Sequence, residues 1–129
     1  MMKVILTLIT IVLFLPSSLS ADGSGVYFCS STDSNGFGIK NGIYESGRIE
    51  VSRFKAKIDF NKKTFISKDL EMNDNSCKRI FDEGMTCSQY GYSININKNN
   101  LKFVLAKGYG YAFSSNDTVS ISIGTCELF

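Results

Sequence analysis

The chain contains no histidine and no tryptophan, and its one proline is Pro16. Without histidine, Ser-His-Asp and Cys-His catalysis, histidine-ligated zinc, copper or haem, and imidazole acid–base chemistry are closed to it. A glycine-rich phosphate loop is missing too, because Gly108-Tyr109-Gly110 falls inside a strand pattern and not between a strand and a helix. No amphipathic helix of about three turns, no internal repeat and no low-complexity tract follows the first 21 residues. These absences point away from most enzyme classes.

At the start of the chain, Lys3 precedes an apolar run from Val4 to Leu15, broken only by Thr7 and Thr10, and then Pro16 and a small-residue tail ending Ser20-Ala21. Those are the parts of a secretory signal, 1–21. The run is well short of the roughly 20 apolar residues of a membrane span, so no stable membrane insertion is expected once the leader is cleaved. Losing 21 of the 129 residues leaves 108, a single β domain over 22–129, with 13 cations against 12 acids. So even a balance gives no electrostatic reason to expect nucleic acid or an anionic membrane as a partner. The expected localisation is secreted or periplasmic.

Four cysteines, Cys29, Cys77, Cys87 and Cys126, on an exported chain read as two disulfides. Of the three connectivities, the favoured one joins Cys77 to Cys87 across Asp82-Glu83-Gly84, a short turn, and leaves Cys29 for Cys126. Thiol nucleophiles and thiolate metal sites are then used up. No metal or cofactor is expected.

The rest of the chain alternates as strands do. Val26 to Ser31 is a short strand, ended by the turn residues Asp33-Ser34-Asn35-Gly36, and Asn41-Gly42 marks a tight turn. Phe54, Ala56, Ile58 and Phe60 share one face, out of phase with Ile49 and Val51, so a kink is expected near Ser52 and Arg53. Placing Phe60 opposite Thr64 sets Ile58 on Ile66 and Phe54 on Leu70, with Lys55 facing Asp69 and Arg53 facing Glu71 outside. Tyr90, Tyr92, Ile94 and Ile96 alternate up to a turn at 97–100, beyond which Leu101, Phe103, Leu105, Tyr109, Tyr111 and Phe113 continue; Ile96 opposite Leu101 is the simplest register. In the last strand, Val119, Ile121 and Ile123 give way to Cys126 and Leu128, which suggests a bulge at Gly124 and Thr125. Three strands bulky on one side and bare on the other would then fall in step. The expected fold is all-β, an antiparallel meander of about six to eight strands, forming a small barrel or a strongly curved sheet with two disulfides.

Two sets of side chains are candidates for a site. Asp59, Asp69 and Glu71 are the carboxylates whose strand positions would suit an acid–base pair. Against this, the charge register already engages Asp69 and Glu71. Tyr90, Tyr92, Tyr109, Tyr111 and Phe113 either face a ligand or fill the core of a domain that lacks tryptophan, and core filling is the simpler reading. Asn116-Asp117-Thr118 fits the N-glycosylation acceptor pattern.

Tyr27-Phe28-Cys29, Lys57-Ile58-Asp59-Phe60 and the ending Gly124-Thr125-Cys126-Glu127-Leu128-Phe129 resemble short exported bacterial proteins of unknown function. That resemblance implies a periplasmic β protein and brings no assigned activity. In outline the chain is also similar to periplasmic inhibitors of C-type lysozyme, small barrels with an early Tyr-X-Cys and a late Cys. Those carry a Ser-Gly-X-X-Tyr type motif on an exposed loop, whereas here Ser46-Gly47 is followed by Arg48-Ile49-Glu50. The expected function is a non-enzymatic binding module for a protein or a small apolar molecule. The alternatives are an inhibitor of a wall-degrading enzyme, inserting the segment from Asn41-Gly42 to Gly47 into a cleft, and a carboxylate hydrolase.

Overall fold

A computed structural model describes residues 24–73, 77–80, 82–113 and 117–129, so the expected leader and Asn116 lie outside the described residues. The described residues form nine strands: β1 (Ser24–Lys40), β2 (Ile43–Arg48), β3 (Arg53–Asp59), β4 (Thr64–Ile66), β5 (Cys77–Ile80), β6 (Gly84–Gln89), β7 (Tyr92–Asn97), β8 (Lys102–Lys107) and β9 (Val119–Leu128). One helical turn, α1 (Tyr109–Ala112), interrupts them. All pairings are antiparallel, in the order β4-β3-β1-β9-β8-β7-β6-β5, and the sheet is nearly closed into a barrel. Past the end of the ladder, the Asn73 N–H donates to Gln89 Oε1 at 2.7 Å and links the segment after β4 to β6.

The long strand β1 organises this sheet. On one side it pairs with β9 from Tyr27 to Phe37; on the other it pairs with β3 along its first half and with β2 along its second. Asp33-Ser34-Asn35-Gly36 is therefore strand and not a turn. The chain reverses at Asn41-Gly42, where both residues have positive φ, 52° and 78°, as a two-residue hairpin turn of this hand requires.

β1 also carries the irregularity expected elsewhere. Ser31 pairs with Gly124 and Asp33 with Ile123, which leaves Thr32 as the extra residue of a bulge. β9 runs through Gly124 and Thr125 without a change of phase, and Ser122, Gly124 and Cys126 all face inward. Ile121 and Ile123 point out, 61% and 52% exposed. Bulky and bare faces thus do not fall in step. Phe103 and Leu105 of β8 stand inside, beside Gly124 and Ser122 of β9, so large side chains fill the room that small neighbours leave. The kink expected near Ser52 and Arg53 is the break between β2 and β3, where the Ser52 N–H donates to Ser31 Oγ at 2.6 Å beside the bulge.

Two hairpin registers also differ from expectation. In β3–β4, Ile58 pairs with Phe65 and Lys57 with Ile66, one residue away from the Ile58–Ile66 pairing. The reason is Asp59, whose Oδ1 accepts the N–H groups of Asn61 and Lys62 at 3.0 and 2.9 Å and so starts the turn early. A one-residue slip exchanges the faces, which puts Phe65 inside and Ile66 outside. In β7–β8, Ile96 pairs with Phe103 and Ile94 with Leu105, two residues beyond the simplest register, because Leu101 takes positive φ and ends the turn instead of pairing. A two-residue shift keeps the faces.

Buried hydrophobic side chains cluster in the interior. Phe54 of β3 meets Phe103 of β8 with ring centroids 5.4 Å apart, although their strands are not neighbours, and Ile58, Phe65, Leu70, Met85, Ile94, Ile96 and Leu105 close the space around them. Burying each such side chain is worth about 1.5–3 kcal/mol. Both disulfides join directly opposed residues, Cys29 with Cys126 between β1 and β9 and Cys77 with Cys87 between β5 and β6. Nearer the other end the inner face turns polar: Ser34 and Ser122, both buried, share a 2.7 Å hydroxyl hydrogen bond.

Candidate functional site

The aromatic set is brought together, at the barrel end reached by the β6–β7 turn, the β8–β9 connection and the start of β2. It is not core. Tyr90, Tyr109, Tyr111 and Phe113 are 71%, 50%, 70% and 65% exposed, and Tyr92 is half-buried. Tyr90 is not on a strand: with Gly91 it forms the two-residue turn between β6 and β7, both at positive φ.

Tyr109, Tyr111 and Phe113 leave the strand pattern because, among the described residues, the ladders of β8 end at Lys107, which faces Tyr92 at the start of β7 and Ser120 near the start of β9. The chain folds instead into the turn α1, whose buried member is Gly110. Helical spacing places residues four apart over one another. Tyr109 and Phe113 therefore stack, centroids 4.5 Å apart and planes 16° apart, while Tyr111 swings to meet Tyr44 of β2 edge-on at 5.1 Å. The Gly108 N–H donates to the Gly91 carbonyl at 3.0 Å, and Tyr109 packs so closely over Gly91 that no side chain fits there.

Three residues that sequence reasoning missed hold this end together. Tyr44 Oη donates to the Asp117 carbonyl at 2.9 Å, and Lys107 Nζ lies 2.7 Å from Asp117 Oδ1 and 5.6 Å above the Tyr92 ring centre. Burial alone would lower the Lys107 pKa, but the hydrogen bond and charge of Asp117, with Tyr92 beside it, leave it raised. The Lys107 hydrogen bond holds the Asp117 carboxyl below its ordinary range, more strongly than partial burial raises it. Nothing local in the sequence links Tyr44 to a residue 73 positions away; only the strand order does.

The carboxylates are occupied differently. Asp59 is buried and caps its own turn, and Asp69 Oδ2 accepts the Lys55 N–H at 2.8 Å, so Asp69 meets the Lys55 backbone in place of the expected cross-strand charge pair, the β3–β4 ladder ending at Lys57 and Ile66. Glu71 sits at positive φ in the turn closed by the Ser67–Met72 bridge. Among the described residues, no three or more Cys, Asp or Glu side chains lie together as a metal site would need.

Compared with known proteins, the chain matches no family model and no curated protein sequence.

Proposed function

We propose that the chain is an exported, non-enzymatic binding module that recognises another protein through its tyrosine-rich end. The observation that carries this reading is the grouping of Tyr90, Tyr109, Tyr111 and Phe113, each at least half exposed and outside the cluster of buried hydrophobic side chains. Tyrosine and phenylalanine supply large contact area with few rotatable bonds, which is why they concentrate at the centres of protein interfaces. The stack of Tyr109 on Phe113 and the Tyr44 anchor on the Asp117 carbonyl pre-organise that surface and reduce the ordering cost of binding. Two disulfides are consistent with an oxidising, extracytoplasmic setting.

A photo-crosslinking amino acid at position 111 tests the reading. The expected result is one protein partner, whose affinity, measured with both components purified, falls by about 2 kcal/mol or more on Phe113→Ala. Equal crosslinking from a control position such as Glu127, or steady turnover of a substrate by the purified protein, would end it.

The β1–β2 hairpin favours a second reading. Apart from half-buried Tyr44, every residue of β2 is exposed, and Tyr44 ties the hairpin to Tyr111 of the same aromatic end. Such a ribbon suits insertion into an enzyme cleft, as the outline similarity to lysozyme inhibitors implies. Undiminished C-type lysozyme activity at micromolar protein removes that option.

A further inference from the structure

A second surface lies on the outer wall, away from the tyrosine-rich end. Register sets Val26 of β1 beside Lys57 of β3, Lys57 beside Ile66 of β4, and Phe28 beside Lys55, so apolar and cationic side chains alternate across three strands. Lys55 Nζ sits 4.9 Å over the Phe28 ring, and Phe28 meets Phe129 edge-on at 5.0 Å. Phe129 itself is 79% exposed, and Val26, Phe28 and Ile66 are exposed as well. A shallow cleft of about 260 Å³ runs between Val26 and Ile66, rimmed by Lys55, Lys57, Lys68 and Asp69. Arg53 extends the row of cations. Two carboxylates share this wall: Asp69, which accepts the Lys55 N–H, and Glu127, which stands beside Phe28.

We infer that this face docks on an anionic lipid surface. Val26, Phe28, Ile66 and Phe129 enter the boundary between headgroups and acyl chains, and Lys55, Lys57, Lys68 and Arg53 pair with lipid phosphates. The support is charge complementarity joined to the interleaving. The body of the protein is nearly neutral, yet this wall carries four cationic side chains against two acidic ones, and its lysines rise from among apolar side chains. Lysine stems lie along apolar surface while their ammonium groups reach phosphate, the arrangement that interfacial binding uses. A soluble acidic partner would satisfy the cations and leave the phenylalanines uncovered.

Hydroxyl-radical footprinting of the full, oxidised chain tests this, with vesicles of phosphatidylcholine alone, vesicles containing phosphatidylglycerol, and soluble polyglutamate. Protection is read at Phe28 and Phe129, so attachment through the apolar stretch 4–15 alone does not register. The expected result is protection of both rings by the anionic vesicles only, weakening as salt is raised, with Tyr111 and Phe113 unchanged. Lys55→Gln and Lys57→Gln should each lower the partition to these vesicles about five-fold, and Phe129→Ser should lower it at constant charge. No protection, equal protection by neutral vesicles, or equal protection by polyglutamate overturns the inference.

Discussion

Replacing Gly124 with alanine should destabilise the protein more than truncating either neighbouring isoleucine, although by hydrophobicity alone the order would be reversed. A Cβ at position 124 would lie 2.6 Å from Ser31 Cα and 2.7 Å from Phe103 Cζ, and would run into the Ser30 carbonyl oxygen. Phe103 can move only within a packed core, and the Ser30–Ser31 backbone is pinned by the disulfide one residue earlier and by the Ser31–Ser52 hydrogen bonds. Overpacking of this kind costs about 1–3 kcal/mol, and backbone contacts place Gly124→Ala at the upper end. Ile121 and Ile123, by contrast, expose more than half of their surface. Truncating them loses outer-face contact and β-propensity, about 1 kcal/mol at most. Urea denaturation of Gly124→Ala, Ile121→Ala and Ile123→Ala, compared at constant m-value, measures the three costs on one scale. A neutral Gly124→Ala beside an Ile123→Ala costing about 3 kcal/mol would mean that β9 presents its other face to the core.

Three further outcomes follow from the same geometry. Removing both cysteines of the Cys29–Cys126 pair, which closes 97 residues, should cost about 4.7 kcal/mol of chain entropy, against about 2.7 for the ten-residue Cys77–Cys87 loop; equal losses in urea titrations would contradict the entropic ranking. Ser34→Ala leaves the buried Ser122 hydroxyl without its partner and should cost about 1–3 kcal/mol, whereas the double variant Ser34→Ala, Ser122→Ala should recover much of that loss in a double-mutant cycle. Because Lys107 holds the Asp117 pKa below its unfolded value, this carboxylate stabilises the fold above the ordinary aspartate range, and its contribution is lost as pH falls through the depressed value. Half exposure of Asp117 screens the pair to about 0.2–1 kcal/mol. Asp117→Asn should therefore flatten the acid limb of the stability–pH curve by that amount, and a curve left unchanged would show that the pair contributes nothing.

Much of this fold was legible because its signals are local. Asn41-Gly42 specifies a turn by its own backbone preference, Phe54, Ala56 and Ile58 alternate without interruption, and a sequence separation of 10 between Cys77 and Cys87 suits a hairpin bond that leaves Cys29 for Cys126. What escaped depends on neighbours. Asp59 moved a turn by one residue through two hydrogen bonds that no periodicity records. Tyr109, Tyr111 and Phe113 satisfy a strand's alternation, but alternation cannot supply partner strands, and β8 runs out of them at Lys107. The tyrosine-rich end was therefore legible as a set of residues but not as a place, and its Tyr44, Lys107 and Asp117 supports join segments distant in sequence.

The face of β9 shows which signal outranks which. Hydrophobicity favours Ile121 and Ile123 as the inner residues, and reconciling them with Cys126 then requires a bulge. The cysteine is the stronger marker, since its partner Cys29 is buried on the inner wall of β1 and a disulfide between opposed residues fixes both side chains to the same face. Counting back by twos from Cys126 puts Gly124 and Ser122 inside without any bulge, next to Phe103 and Leu105. The volume missing from one strand is the volume its neighbour supplies, so within a closed sheet a serine or glycine can be the core residue and an isoleucine the surface one. Ile121, Ile123 and Val104 remain outside as a consequence of packing, and their exposure by itself assigns them no partner.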